Sequence, residues 1–250
     1  MNLNREIKID VGFASWIVGG IWIGVFLGLV AAVKAIWPSS IPLGLFELWT
    51  IKKPILGAVM ACWPAFVWGG GVTLVFSYLA IRRGTFKYDR YDLGFGKCLN
   101  ISLFAGITEE IIFRWLMFYM AIATLPLWNW LFFGWAGFGL PEWLFSHIAG
   151  PVANFFTLGK LSAYLNGSMG WVMGAAVLSA NANFRNNHKY LGFFGYVNSW
   201  FMGMLFFWLM FQYGILAAIV AHFLYDLLVF WVASAMARLN TEPSYARTYA

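Results

Sequence analysis

Apolar residues in this chain fall into long runs separated by brief polar punctuation, with little of the short alternation that marks half-buried strands. A helix needs about 20 consecutive apolar residues to cross a bilayer, and the pattern predicts eight segments on that scale. The first covers about 11–33, after the polar stretch Met1–Asp10. It is too long for the apolar part of a signal peptide and reads as an uncleaved first helix. A loop with Pro38, Ser39, Ser40 and Pro42 leads through a mixed stretch to Lys52-Lys53-Pro54. The second segment spans about 55–81 and ends at Arg82-Arg83-Gly84; a charged loop follows to about 97. The third spans about 99–123 and is punctuated by Pro126. The next, about 127–140, is rich in Trp, Phe and Gly, is barely long enough to cross, and is open to a re-entrant path. Segments at about 142–165 and 168–181 come next, then a polar loop from Asn181 to Lys189, then segments at about 192–212 and 214–237.

No internal repeat, low-complexity tract or polar linker divides the chain. Residues 1–250 therefore read as one integral membrane domain, all-α, a polytopic transmembrane helical bundle. Basic residues orient it. With eight crossings and the N-terminus inside, Arg5, Lys8, Arg82, Arg83, Lys87, Arg90, Lys97, Arg185, Lys189, Arg238 and Arg247 share one side. The other side holds Lys34, Lys52, Lys53 and Lys160. Eleven against four favours both termini inside, since cytoplasmic loops carry the excess of Lys and Arg. The expected location is the cell's inner (plasma) membrane.

Composition supports the membrane reading: 62% of residues are hydrophobic, 10% are charged, and mean hydropathy is +0.73. A soluble domain has about 25% charged residues, so this chain lacks the polar surface to cover a globule in water. The net charge of +6 does not indicate nucleic acid, because the basic residues sit between apolar segments, where they meet anionic headgroups. Cys62 and Cys98 lie in different segments and read as buried thiols rather than a disulfide.

Against this background the charged residues inside apolar segments stand out. A charge at mid-membrane costs about 2.5–3.5 kcal/mol on insertion scales, which makes it a functional candidate. The third segment carries three in Thr108-Glu109-Glu110-Ile111-Ile112-Phe113-Arg114. Glu110 and Arg114 are four residues apart on one helix face and can pair. Glu109 is rotated about 100° from Glu110, so it is free for another partner. An ion pair that only fixes packing explains Glu110 and Arg114 but leaves Glu109 unexplained. In the last segment His222 and Asp226 share the same four-residue spacing, where the acid can fix the imidazole tautomer. His147 follows Trp143 by four residues near a segment end. His188, in Arg185-Asn186-Asn187-His188-Lys189, reads as a solvated loop residue. HExxH, GxSxG and a phosphate-binding glycine loop are all absent from the chain.

Three motifs resemble those of the CAAX-protease and bacteriocin-processing family (CPBP, also called Abi) of intramembrane endopeptidases. Glu109-Glu110-xxx-Arg114 resembles its EExxxR signature, Trp143-xxx-His147 its FxxxH motif with Trp for Phe, and His222-xxx-Asp226 its HxxxN motif with Asp for Asn. They occur in the family's order, within about 99–237. The resemblance implies a helical membrane fold that cleaves a peptide bond of a membrane-associated substrate. Glu109 would activate the attacking water, with Glu110 and Arg114 in support. His147 and His222 would orient water, bind a metal or stabilise the oxyanion. A Zn²⁺ ion held by Glu109, His147 and His222 is one form of that expectation. Asp226 departs from the pattern: an Asn can donate to an oxyanion, whereas an ionised Asp cannot.

Other readings compete. A non-catalytic protein on the same fold, serving as an immunity protein or as a subunit of a larger membrane complex, would use its Trp- and Phe-rich faces for partners. A pigment or haem binder with His147 and His222 as axial ligands leaves the glutamate pair unexplained. An ion-coupled transporter would show paired broken helices, which the pattern lacks.

Overall fold

A computed structural model describes residues 13–36, 41, 43–91, 93–133, 138–167 and 169–240. Among them every regular element is helical. Helix α1 is Phe13–Ile36, α2 Ile55–Ala61 and α3 Trp63–Arg82. Helix α4 is Phe95–Phe132, 38 residues long. Helix α5 runs over 140–156, α6 is Gly170–Asn187, α7 Gly192–Tyr213 and α8 Ile215–Asn240. Four of them, α3, α4, α8 and Lys189–Tyr213 containing α7, are long and apolar enough to cross a membrane, as an integral membrane protein requires. The loop read at Pro38–Pro42 lies, apart from Ile41, outside the described residues.

Several boundaries differ from the sequence reading: the segment read at about 55–81 is broken at Cys62 into α2 and α3, that read at about 142–165 leaves its helix at Phe156, and two more differ at Pro126 and Asn181. Helix α4 does not stop before Pro126 but continues through it. The lost N–H is tolerated where wider turns and neighbouring helices compensate the backbone, and the turns after Pro126 are π-helical. The segment read at 127–140 therefore begins as the end of α4. Likewise, the polar loop read from Asn181 is helical to Asn187. Two of its amides find carbonyls there: Asn181 Nδ2 donates to the Trp200 carbonyl of α7 at 3.1 Å, and Asn183 Nδ2 to the Ser179 carbonyl at 3.0 Å.

Helix α8 is the hub, packed against α3, α4 and α7. Small residues permit this closeness, because helices in lipid associate through van der Waals fit rather than a hydrophobic drive. A Cβ on Gly106 of α4 would stand 2.9 Å from the backbone N of Phe223, and one on Gly69 of α3 2.4 Å from the Tyr225 ring. The ends of α8 are pinned. Ser234 Oγ and Arg238 Nη2 both donate to the Leu93 carbonyl, at 2.5 and 2.8 Å. At the other end Gly214, with φ +102°, turns the chain from α7 into α8. The periphery is apolar: Trp63, Trp130, Phe155 and Phe193 are each more than half exposed, a surface suited to hydrocarbon. Cys62 and Cys98 are buried free thiols.

Candidate functional site

The charged residues of α4 sit where its helix widens. From Glu110 to Met117 the turns are π-helical, a rare arrangement frequent at functional sites. Glu110 and Arg114 are both fully buried, and Arg114 Nη1 lies 3.0 Å from Glu110 Oε1. The same oxygen accepts from His222 Nδ1 of α8 at 2.7 Å. Arg114 spreads over aromatic faces, 3.9 Å from the Phe184 ring centroid and 5.3 Å from that of Phe206. Phe206 in turn stacks on His222, with centroids 4.5 Å apart. One carboxylate thus holds a guanidinium and an imidazole together, inside an aromatic sleeve that excludes lipid and water.

Fixing His222 by Nδ1 aims its Nε2 at a second set of acids. Asp226 Oδ2 lies 3.5 Å from Nε2, and Glu109 Oε2 lies 4.0 Å from it. Glu109 is 28% exposed and Asp226 23%, against 0% for Glu110. The cluster therefore has a sealed inner half (Glu110, Arg114) and an accessible outer half (Glu109, Asp226), with the ring of His222 between them. Among the described residues Glu109 Oε2, itself buried, has no hydrogen-bond partner, so it is an unmet acceptor between the two imidazoles.

His188 completes the outer half. Its Nε2 is 3.8 Å from Glu109 Oε2, and its Nδ1 contacts the Phe184 carbonyl at 2.8 Å. The polar run from Asn181 predicts a solvated loop for His188, but α6 does not end there. With α6 continuing to Asn187, Phe184 and His188 face α4 and α8 together. A signal was present: Phe184-Arg185-Asn186-Asn187-His188 has FxxxH spacing with Phe itself in first place.

His147 lies elsewhere. Its Nδ1 contacts the Trp143 carbonyl at 2.9 Å and its ring stacks on Trp143. Phe145 stacks on Trp171, and Gly150 packs on Gly174, so this part of α5 lies against the beginning of α6. The cluster lies at the other end of α6. At 1.5 Å per residue, Gly174 and Phe184 are separated by about 15 Å along the axis. Glu109, His147 and His222 therefore do not converge. Among the described residues no group of three His, Cys, Asp or Glu is placed to hold a metal ion, and the zinc arrangement with His147 does not fit this geometry.

Removing one member of a buried ion pair strands the other charge and costs about 3–5 kcal/mol. Arg114→Leu is expected to lower both the purified yield and the thermal midpoint in detergent sharply. The double variant Glu110→Leu/Arg114→Leu should recover part of the loss. A wild-type melting curve for Arg114→Leu would show that the pair is dispensable for folding.

Compared with known proteins, the chain matches no family model, no curated protein and no solved structure.

Proposed function

We propose that the chain is an intramembrane endopeptidase of the CPBP type. Its active centre is formed by Glu109, His188, His222 and Asp226, with Glu110 and Arg114 behind them. One observation carries this reading: Glu109, a partly exposed side chain in an apolar helix, holds its buried Oε2 within 4.0 Å of two imidazoles and without a hydrogen-bond partner among the described residues. A packing role gives a membrane helix no reason to keep such a carboxylate, whereas a general base needs one.

The chemistry follows from the positions. Glu109 takes a proton from a water, whose oxygen attacks the scissile carbonyl carbon. The oxyanion that forms meets the Nε2–H groups of His188 and His222 in their imidazolium forms, since the Nδ1–H of each is already given to the Phe184 carbonyl and to Glu110. Glu109 then returns the proton to the departing amine as the C–N bond breaks. His222 is held for this role because Glu110 takes its Nδ1 and Arg114 balances Glu110. The substrate is a membrane-associated peptide or protein whose cleavable bond reaches the accessible half of the cluster. Eight crossings, both termini inside and an inner (plasma) membrane location complete the proposal, on the strength of the basic-residue asymmetry.

The test uses the full chain in proteoliposomes with a library of short peptides, each anchored by one prenyl or acyl chain, and mass spectrometry of the products. The wild type should cleave a subset. Asp226→Asn should cut the rate about tenfold, since the carboxylate beside His222 Nε2 helps hold the ring as a donor. Equal or higher activity in Asp226→Asn would assign Asp226 a neutral donor's role instead. Absence of cleavage across the library would favour the second reading, a non-catalytic membrane protein acting as an immunity protein or complex subunit. The observation behind that alternative is the broad exposed aromatic surface, including Trp128, Trp130 and Trp143.

A further inference from the structure

Arg114 is fully buried, yet among the described residues its Nε, Nη1 and Nη2 make no well-aligned hydrogen bond, although Nη1 lies 3.0 Å from Glu110 Oε1. A guanidinium has five N–H donors, and leaving them unmet in an apolar bundle is costly. An unmet acceptor faces it from α6. Asn181 is 0% exposed, and its Nδ2 donates to the Trp200 carbonyl at 3.1 Å, which fixes the orientation of the amide. Its Oδ1 has no hydrogen-bond partner among the described residues. A Cβ on Gly203 of α7 would stand 1.9 Å from that Oδ1 and 3.1 Å from Arg114 Nη2. The amide oxygen and the guanidinium thus border one small gap, open only because residue 203 carries no side chain.

Asn181, Phe184 and His188 follow at spacings of three and four, so they form one stripe on α6. Phe184 covers the face of the guanidinium, and His188 reaches Glu109. We propose that Asn181 is a positioning residue. Its Oδ1 accepts from Arg114 Nη2, directly or through one bound water, and fixes the guanidinium that orients Glu110 and, through Glu110, the ring of His222. Gly203 is the position that keeps room for this contact. The chain of contacts runs from Trp200 to Asn181, Arg114, Glu110 and His222, and it ties the tilt of α7 to the aim of His222 Nε2. Only the activity arm of the test below rests on the endopeptidase reading.

The test compares Asn181→Leu, Asn181→Asp and Asn181→Ser in the full chain, each checked for folding by its thermal midpoint in detergent. The chain has three histidines, so side-chain NMR can resolve His147, His188 and His222 separately. Asn181→Leu matches the size of the amide but removes the acceptor. It should move the His222 resonances, leave those of His147 in place, and lower kcat about 10–100-fold with KM within twofold. Asn181→Asp keeps an acceptor oxygen for Arg114 but loses the Nδ2 donor to Trp200, so it should restore both readouts in part. If Asn181→Leu fails to fold, Asn181→Ser serves: its hydroxyl can bond its own helix but lacks the reach to Arg114, and it should displace His222 in the same way. Unmoved His222 resonances in a folded Leu or Ser variant would overturn the proposal, as would a loss in Asn181→Asp equal to that in Asn181→Leu. Movement of His222 that Asn181→Asp reverses, in a protein that cleaves no peptide even as wild type, would uphold the positioning role and reject the endopeptidase.

Discussion

Glu109→Gln is expected to reduce peptide cleavage by about 100-fold or more, the usual range for losing a general acid–base group, while the bundle stays folded. The two side chains have nearly the same size and both accept hydrogen bonds, but an amide cannot take a proton from water. Folding should survive because Glu109 is the most exposed carboxylate of the cluster and, among the described residues, its Oε2 makes no hydrogen bond. The sealed pair of Glu110 with Arg114 is untouched. Initial rates in proteoliposomes, alongside thermal midpoints, give the comparison. A scaffold would be indifferent to the change, so wild-type behaviour of Glu109→Gln in every functional assay would move the protein to the non-catalytic class.

The second large effect separates two histidines that sequence reasoning ranked the other way. His188→Ala is expected to lower cleavage about 100-fold, and His147→Ala by less than twofold. His188 Nε2 lies 3.8 Å from Glu109 Oε2, whereas His147 contacts Trp143 on its own helical turn. An imidazole beside the base can donate to the developing oxyanion, and losing one such donor costs about 10²–10³ in kcat. An imidazole stacked at the other end of α6 has no route to that oxygen. Comparable losses in the two variants, or a larger one in His147→Ala, would mean that the accessible half of the cluster is not the reacting centre.

Much of the arrangement was legible in the residues. The Glu110–Arg114 spacing predicts a pair on one helix face, and the structure has it at 3.0 Å. The His222–Asp226 spacing predicts that the acid meets the ring, and Oδ2 stands 3.5 Å from Nε2. Both follow from the geometry of a single helix, which sequence spacing encodes directly. The exemption of Glu109 from that pair was legible in the same way, from the rotation between neighbouring residues.

What failed was the assignment of partners across helices. Asn181 to Lys189 is polar, and polarity in a membrane chain normally marks a loop, so the sequence pattern gives His188 no partner. The helix continues there because α7 supplies the Trp200 carbonyl to Asn181, and because Phe184 finds the guanidinium of Arg114. Neither partner lies within 10 residues of α6 in the chain. Pro126 misled for a similar reason, since a proline reads as a stop until its neighbourhood is known.

By itself, then, the sequence determined the helical class, the apolar character of the surface, and which charged residues share a helix face. These depend on composition and on the fixed rise and twist of a helix, which are local. The tertiary structure decided which histidine joins Glu109, that Glu110 rather than Asp226 holds His222 Nδ1, and how far α6 extends. Those outcomes depend on which small residues let helices approach. Gly106 admits α8 to α4, and Gly203 leaves space between Asn181 and Arg114. A glycine in a sequence states only that a side chain is missing, and its meaning is set by the atoms that another helix brings to the space.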